Sequence, residues 1–257
     1  MKIIGGNWKF NKELREKEKA KRFIRELEKK LEKEKIGNGK VIIFPHFLVL
    51  NEVKKVTKRI KVGAQDLHWE ESGSFTGAQP SAQDLKNWGI KNVLIGHSET
   101  RKYFGVTEER VRLKLKSALK EKLFPLICIG EDIEEKERGE TKKVLRRQIE
   151  EGILPSLNKN SRFLIAYEPL YAISGFAKLR RKEPRPAKIE DVKLSHNFIK
   201  ETFKKRGFKV KVLYGGSCSP QNAKELLSQD FIDGLLVGSK SWDLESFLEI
   251  IRIAKEI

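Results

Sequence analysis

The apolar run at residues 163–169 ends in Ala166, Tyr167, Glu168 and Pro169, which sets one carboxylate at the mouth of a buried strand. Pro169 has no N–H to donate and a fixed φ, so strand pairing stops beside Glu168 and a loop begins. A carboxylate at such an edge is a candidate base, and the residues that follow, YAISGFAK (171–178), read as a mobile lid. Base, strand stop and lid in sequence describe proton abstraction in a site that must exclude water.

The elements that position this carboxylate recur along the chain. Apolar, β-branched runs stand at residues 2–8, 40–45, 60–65, 92–98, 125–131, 163–169, 210–216 and 234–239. Most are continuous rather than alternating, as parallel strands covered on both faces require. Charged segments of helical period lie between them. Phe23, Ile24, Leu27 and Leu31 form an apolar stripe among Lys and Glu, and residues 107–123 and 243–257 have the same character. Asn11, Thr107, Ser219 and Asp243 read as N-caps, with Pro220 at a first helical position. Eight strand–helix units in 257 residues, with no linker between them, fit a single-domain α/β fold, a (β/α)8 barrel over residues 1–257. A doubly wound open sheet uses the same units and is the structural alternative.

In such a barrel, chemistry is carried at the C-terminal ends of the strands. Those ends supply Gly6, Asn7, Trp8 and Lys9 on the first strand, and Gly96, His97, Ser98 and Glu99 on the fourth. The sixth supplies Glu168, the seventh Tyr214 to Ser217, and the eighth Val237, Gly238 and Ser239. Taken singly, each has a bland reading: a strand-end lysine, a core histidine, a structural carboxylate, a common turn. Together they set a cation, an imidazole, a carboxylate and two glycine-rich turns on one face. Glycine turns let backbone N–H groups approach a phosphate, aided by an adjacent helix N-terminus. Lys9 offers a fixed positive charge for a dianion and for oxygen charge that develops in reaction. The segment from Ser98 to Gly105 starts a helical turn whose N-terminal field favours neutral over protonated His97. Glu168 gains basicity when desolvated.

Composition narrows the partners. Fifty-four Lys and Arg against 36 Asp and Glu give +18, a charge that attracts polyanions and steers small phosphorylated molecules alike. The charges are interleaved Lys and Glu and read as solvated helix faces, and no nucleic-acid-binding module is recognisable. No apolar run approaches the roughly 18 residues of a membrane span, and the first strand leaves no room for a signal peptide, so a cytoplasmic protein is expected. Two cysteines, Cys128 and Cys218, are too few for a disulfide framework and read as inert.

GGNWK, GAQD with GSFTG, IGHSETR, CIGE, AYEP, YGGS and DGLLVG follow one another along nearly the whole chain. In this order they resemble the triosephosphate isomerase family. The resemblance implies a glycolytic and gluconeogenic isomerase that interconverts dihydroxyacetone phosphate and D-glyceraldehyde 3-phosphate. It implies that Asn7 and Lys9 contact substrate oxygens, His97 is the electrophile and Glu168 the base, with Glu99 orienting Lys9 and Ser98. It further implies phosphate held by backbone N–H groups of Ser174, Ser217, Gly238 and Ser239. No metal or organic cofactor is implied. A homodimer is, built partly by the loop at residues 65–80, whose tip inserts beside the partner's copy of the catalytic lysine.

The departures cluster in the lid and the dimer loop. The family's lid glycine is here Ser174, Phe176 adds bulk, and a basic insertion spans residues 178–183. The family's Thr-Gly-Glu is Thr76, Gly77 and Ala78, and its GAQN ends in Asp66. Thr100 and Val106 replace two residues that the family joins as an ion pair, so their joint loss avoids an orphaned charge. Two other functions compete: a different phosphosugar isomerase or lyase on the same barrel, and a non-catalytic basic barrel that binds polyanions.

Overall fold

The computed structural model describes residues 1–36, 40–173 and 187–257. Eight parallel strands close into a barrel in sequence order: β1 (Ile3–Asn7), β2 (Val41–Phe44), β3 (Lys61–Ala64), β4 (Asn92–Ile95), β5 (Phe124–Ile129), β6 (Leu164–Tyr167), β7 (Val212–Tyr214) and β8 (Gly234–Val237). Closure is made by β1 against β8, with Ile4 opposite Leu235 and Gly6 opposite Val237. This excludes the open sheet. The continuous apolar runs have their expected cause, since all eight strands are buried throughout or all but their first residue.

Alternate residues divide between two cores. Ile3, Ile42, Phe44, Leu94, Leu126, Cys128, Leu164, Ala166, Leu213 and Leu236 fill the barrel interior. Their neighbours, among them Ile4, Ile43, Val93, Ile127, Ile165 and Leu235, face the outer helices. Each fully buried Leu, Ile or Phe is worth about 1.5–3 kcal/mol relative to exposure. The division therefore fixes strand register, because a slip of one residue exchanges the two sets.

The outer layer comprises α1 (Lys17–Lys33), α2 (Phe47–Val56), α3 (Ala82–Asn87), α4 (Ser98–Phe104), α5 (Glu108–Lys120), α6 (Ile133–Glu137), α7 (Thr141–Gly152), α8 (Ile189–Lys204), α9 (Pro220–Leu227) and α10 (Leu244–Glu256). In α1 the predicted stripe of Phe23, Ile24, Leu27 and Leu31 is the buried one. Thr107 caps α5 and Asp243 caps α10 by accepting from Arg110 N and Ser246 N. Ser219 and Pro220 begin α9 as expected. Asn11 differs: its Oδ1 accepts from Leu14 N at 2.9 Å and caps a short 3-10 turn, Glu13–Arg15, which intervenes before α1. A pattern of residue types cannot separate a single turn from the helix behind it. No helix among the described residues is long and apolar enough to cross a membrane.

Candidate active site

Four of the expected residues meet at the C-terminal mouth of the barrel. Lys9 follows β1, His97 follows β4 and Glu168 follows β6, and all three line one cavity of about 400 Å³ together with Asn7. Ser217, Gly238 and Ser239 line it as well, from the ends of β7 and β8. Ser174, Phe176 and the insertion at 178–183 lie outside the described residues.

Glu168 is 2% exposed and its carboxylate is doubly held. Oε2 accepts from the Ser98 N–H at 2.9 Å, and Oε1 lies 3.0 Å from His97 Nε2. Burial alone would raise this carboxyl's pKa. The His97 ring, the Ser98 N–H and the charge of Lys9 outweigh burial and hold it below the ordinary carboxylate value. In this arrangement Glu168 is a weak base. The basicity expected from desolvation requires this carboxylate to leave His97 and Ser98. Its backbone is packed to the limit: a Cβ on Gly130 would fall 1.8 Å from Glu168 O, and one on Gly215 would fall 2.9 Å from Glu168 Cγ.

His97 is the N-cap of α4, and its Nδ1 accepts from the Glu99 N–H at 3.2 Å. An acceptor Nδ1 carries a lone pair, so the ring proton belongs on Nε2, aimed at Glu168 Oε1. The ring is thus placed to donate from Nε2. The helix then runs to Gly105, whose φ of 60° closes its C-terminus. Thr100 turns its hydroxyl back to His97 O at 2.8 Å, and Val106 is buried in the core. Neither leaves an orphaned charge. Arg101 instead pairs with Glu108 at 3.0 Å and donates from Nε to Gly96 O, the carbonyl just before His97.

Lys9 has a φ of 48°, a left-handed conformation that costs a non-glycine residue about 1 kcal/mol or more. The surroundings hold it there. Its N–H donates to Asn7 Oδ1 at 2.9 Å, and its carbonyl accepts from Gln65 Nε2 at 3.0 Å. Its ammonium donates to Glu99 Oε1 at 2.8 Å, as expected of an orienting carboxylate. Ser98 is different, because its N–H serves Glu168 while its buried hydroxyl has no hydrogen-bond partner among the described residues.

At the end where phosphate is expected, the Ser217 donors are already engaged within the chain. Ser217 donates both its N–H and its hydroxyl to Ala172 O, at 3.0 and 2.6 Å. Ala172 ends the 3-10 turn Leu170–Ala172 that follows Pro169. An incoming phosphate must therefore compete with the lid's own carbonyl for Ser217. Beneath this hinge lies a network that the sequence did not suggest. Tyr167 donates to Glu131 Oε1 at 2.9 Å, Ser195 donates to Tyr167 at 3.1 Å, and Leu170 N–H donates to Glu131 O at 3.0 Å. Burial raises the Glu131 pKa above the usual carboxylate value. The members of this network are scattered from residue 131 to 195, so no local spacing could reveal them.

Burial disfavours the thiolate at both cysteines. Burial pushes Cys218 up to about 12 and Cys128 well above its ordinary value. Cys218 nevertheless lines the cavity beside Ser217.

A closed (β/α)8 barrel whose strand ends converge a carboxylate, an imidazole and an oriented ammonium defines a class: barrel enzymes of proton-transfer chemistry. The triosephosphate isomerase family profile matches residues 2–254. The chain belongs to that family. It is 38% identical over 260 residues to a triosephosphate isomerase of Alkaliphilus metalliredigens, covering 97% of this chain and 98% of the relative. It is also 39% identical over 221 residues to an L-erythrulose-1-phosphate isomerase of Rhizobium meliloti, covering 84% of each. The crystal structure of triosephosphate isomerase from Bartonella henselae superposes with a TM-score of 0.82 at 30% identity, over 99% of both chains.

Proposed function

We propose that the chain, as one domain over residues 1–257, interconverts dihydroxyacetone phosphate and D-glyceraldehyde 3-phosphate. The observation that carries this reading is the convergence of Glu168, His97 and Lys9 on one cavity. Glu168 takes a proton from the carbon next to the carbonyl. The C–H electron pair becomes the C=C bond of an enediolate, and the former carbonyl oxygen takes the negative charge. His97 Nε2–H and the Lys9 ammonium face that oxygen, and Asn7 sets Lys9 through its backbone. His97 gives its proton to this oxygen and recovers one from the neighbouring hydroxyl. Glu168 then returns its proton to the adjacent carbon. Neutral His97 is the better partner here, since a weakly acidic donor exchanges protons with an enediol at little cost.

Backbone N–H groups of Ser217, Gly238, Ser239 and Ser174 hold the phosphate, with Ser217 released from Ala172 O on binding. Nothing in this sequence of steps calls on a metal or organic cofactor.

The Rhizobium relative favours one second reading, the same proton shift on a four-carbon ketose phosphate. A coupled assay separates the two: kcat/KM for D-glyceraldehyde 3-phosphate should exceed that for L-erythrulose 1-phosphate by at least tenfold, roughly the discrimination a pocket gains from one carbon. A reversed ratio would establish the second reading.

A cytoplasmic homodimer completes the proposal. Residues 70–78 of the predicted loop are all exposed, with Phe75 half-exposed at their centre. Phe10, next to Lys9, is 70% exposed and packs edge-on against His46, which in turn meets exposed Phe47. Apolar side chains displayed beside a catalytic lysine fit a face that a second copy covers. Sedimentation at assay concentration should give two chains, and a fully active monomer at every concentration would contradict this.

A further inference from the structure

Four residues that carry a formal charge line the cavity among the described residues: Lys9, Lys240, Glu99 and Glu168. Lys9 is spent on Glu99 at 2.8 Å, and Glu168 stands uncompensated by any lysine at contact distance. Without Lys240 the wall would sum to one negative charge, a poor receptor for a dianion. Lys240 restores neutrality. It is also the cation with no competing partner, since it forms no ion pair among the described residues.

Its backbone is fixed while its side chain is open to solvent. Lys240 is central in the 3-10 turn Ser239–Ser241, directly after β8. Ser241 closes that turn by donating its N–H and its hydroxyl to Gly238 O at 2.8 and 2.7 Å, and the hydroxyl also reaches Asn7 O at 3.4 Å. The acid that feels Lys240 is Asp243, whose Oδ1 is committed to the Ser246 N–H at 2.8 Å as the cap of α10. A flexible four-carbon stem on a pinned turn can thus carry its ammonium across the cavity mouth, next to the Ser239 N–H.

We propose that Lys240 binds the substrate phosphate directly, adding a side-chain cation to the backbone donors and Lys9. The inference rests on the isomerase reading for the source of that phosphate. A charge that touches only the non-reacting phosphate acts equally on ground state and transition state, so it lowers KM and leaves kcat alone.

The test uses Lys240→Met and Lys240→Arg. With D-glyceraldehyde 3-phosphate, Lys240→Met should raise KM roughly two- to fivefold, the effect of one partly exposed ion pair, and Lys240→Arg should restore most of it. The inhibition constant of inorganic phosphate should rise by the same factor, and the difference should shrink at high ionic strength. Turnover of unphosphorylated glyceraldehyde should not respond to either change. Calorimetric titration of inorganic phosphate into the wild-type and Lys240→Met chains reads the contact without turnover. Weaker phosphate binding by the variant sustains the inference even where the wild-type chain fails to isomerise a triose phosphate. Equal phosphate affinity and equal KM in the two chains overturn it.

Discussion

Glu168 is bonded to two donors at once, and that detail sets what its replacement does. A glutamine has one acceptor oxygen, so it can satisfy either the Ser98 N–H or His97 Nε2–H, while its amide faces the other donor. Glu168→Gln should therefore cost at least about 10²- to 10⁴-fold in kcat through loss of the base, with KM changed far less. Steady-state kinetics on the folded variant checks this, and a near-normal kcat would remove Glu168 from its role. The residues that carry this site were readable from strand-end position because each lies just past a run of apolar residues. Lys114 was not. It reads as one more lysine in a charged helix, yet it is 2% exposed. The signal was its spacing, three after Val111 and four before Ala118, on the buried face of α5.

That lysine matters at the scale of elements. Lys114 Nζ donates to Asp66 Oδ2 at 2.6 Å, and Gln79 Nε2 donates to the same oxygen at 2.7 Å. The two ends of the loop at 65–80 are thereby pinned to each other and to α5, with His68 N donating to Pro80 O alongside. Asp66, where the family has asparagine, is explained by this pair. Lys114→Met should leave the aspartate charge uncompensated and destabilise the chain by about 3 kcal/mol or more. The double change with Asp66→Asn, which removes the charge, should recover a large part of that loss in urea unfolding. Additive losses would show that the two side chains do not act as a pair. The sequence placed the eight strands and the helices at 107–123 and 243–257 within a few residues because their burial patterns are regular. It could not separate the 3-10 turn after Asn11 from α1, because residue types alone do not mark a single turn, nor find the Glu131, Tyr167 and Ser195 network, whose contacts are distant in the chain.

Over the whole molecule, acid stability is tied to a group far from the reaction. His196 is fully buried on α8, with Nδ1 3.1 Å from Phe231 O and its ring edge-on to Tyr167. Burial lowers its pKa from 6.5 to about 4. The unfolded chain thus takes up a proton near pH 6.5 that the folded chain refuses until about pH 4. Between those values the unfolded state holds more protons, so stability is full above the window and falls as pH drops through it. The expected loss is roughly 2 kcal/mol between pH 7 and pH 5, at 1.36 kcal/mol per unit of pH below 6.5. His196→Gln should flatten that part of the urea-midpoint profile. An unchanged slope would assign acid sensitivity to other groups.

The central claim is that Glu168 moves a proton between adjacent carbons of a triose phosphate. It is tested most directly by nuclear magnetic resonance of D-glyceraldehyde 3-phosphate turned over in heavy water. A carboxylic acid at the cavity exchanges its proton with solvent during the life of the enediolate. The account therefore predicts dihydroxyacetone phosphate carrying deuterium at carbon 1 from the wild-type chain, with formation of that product abolished or slowed by at least about 10²-fold in Glu168→Gln. Absence of the ketone product, or deuterated product formed at the same rate by both chains, would contradict it.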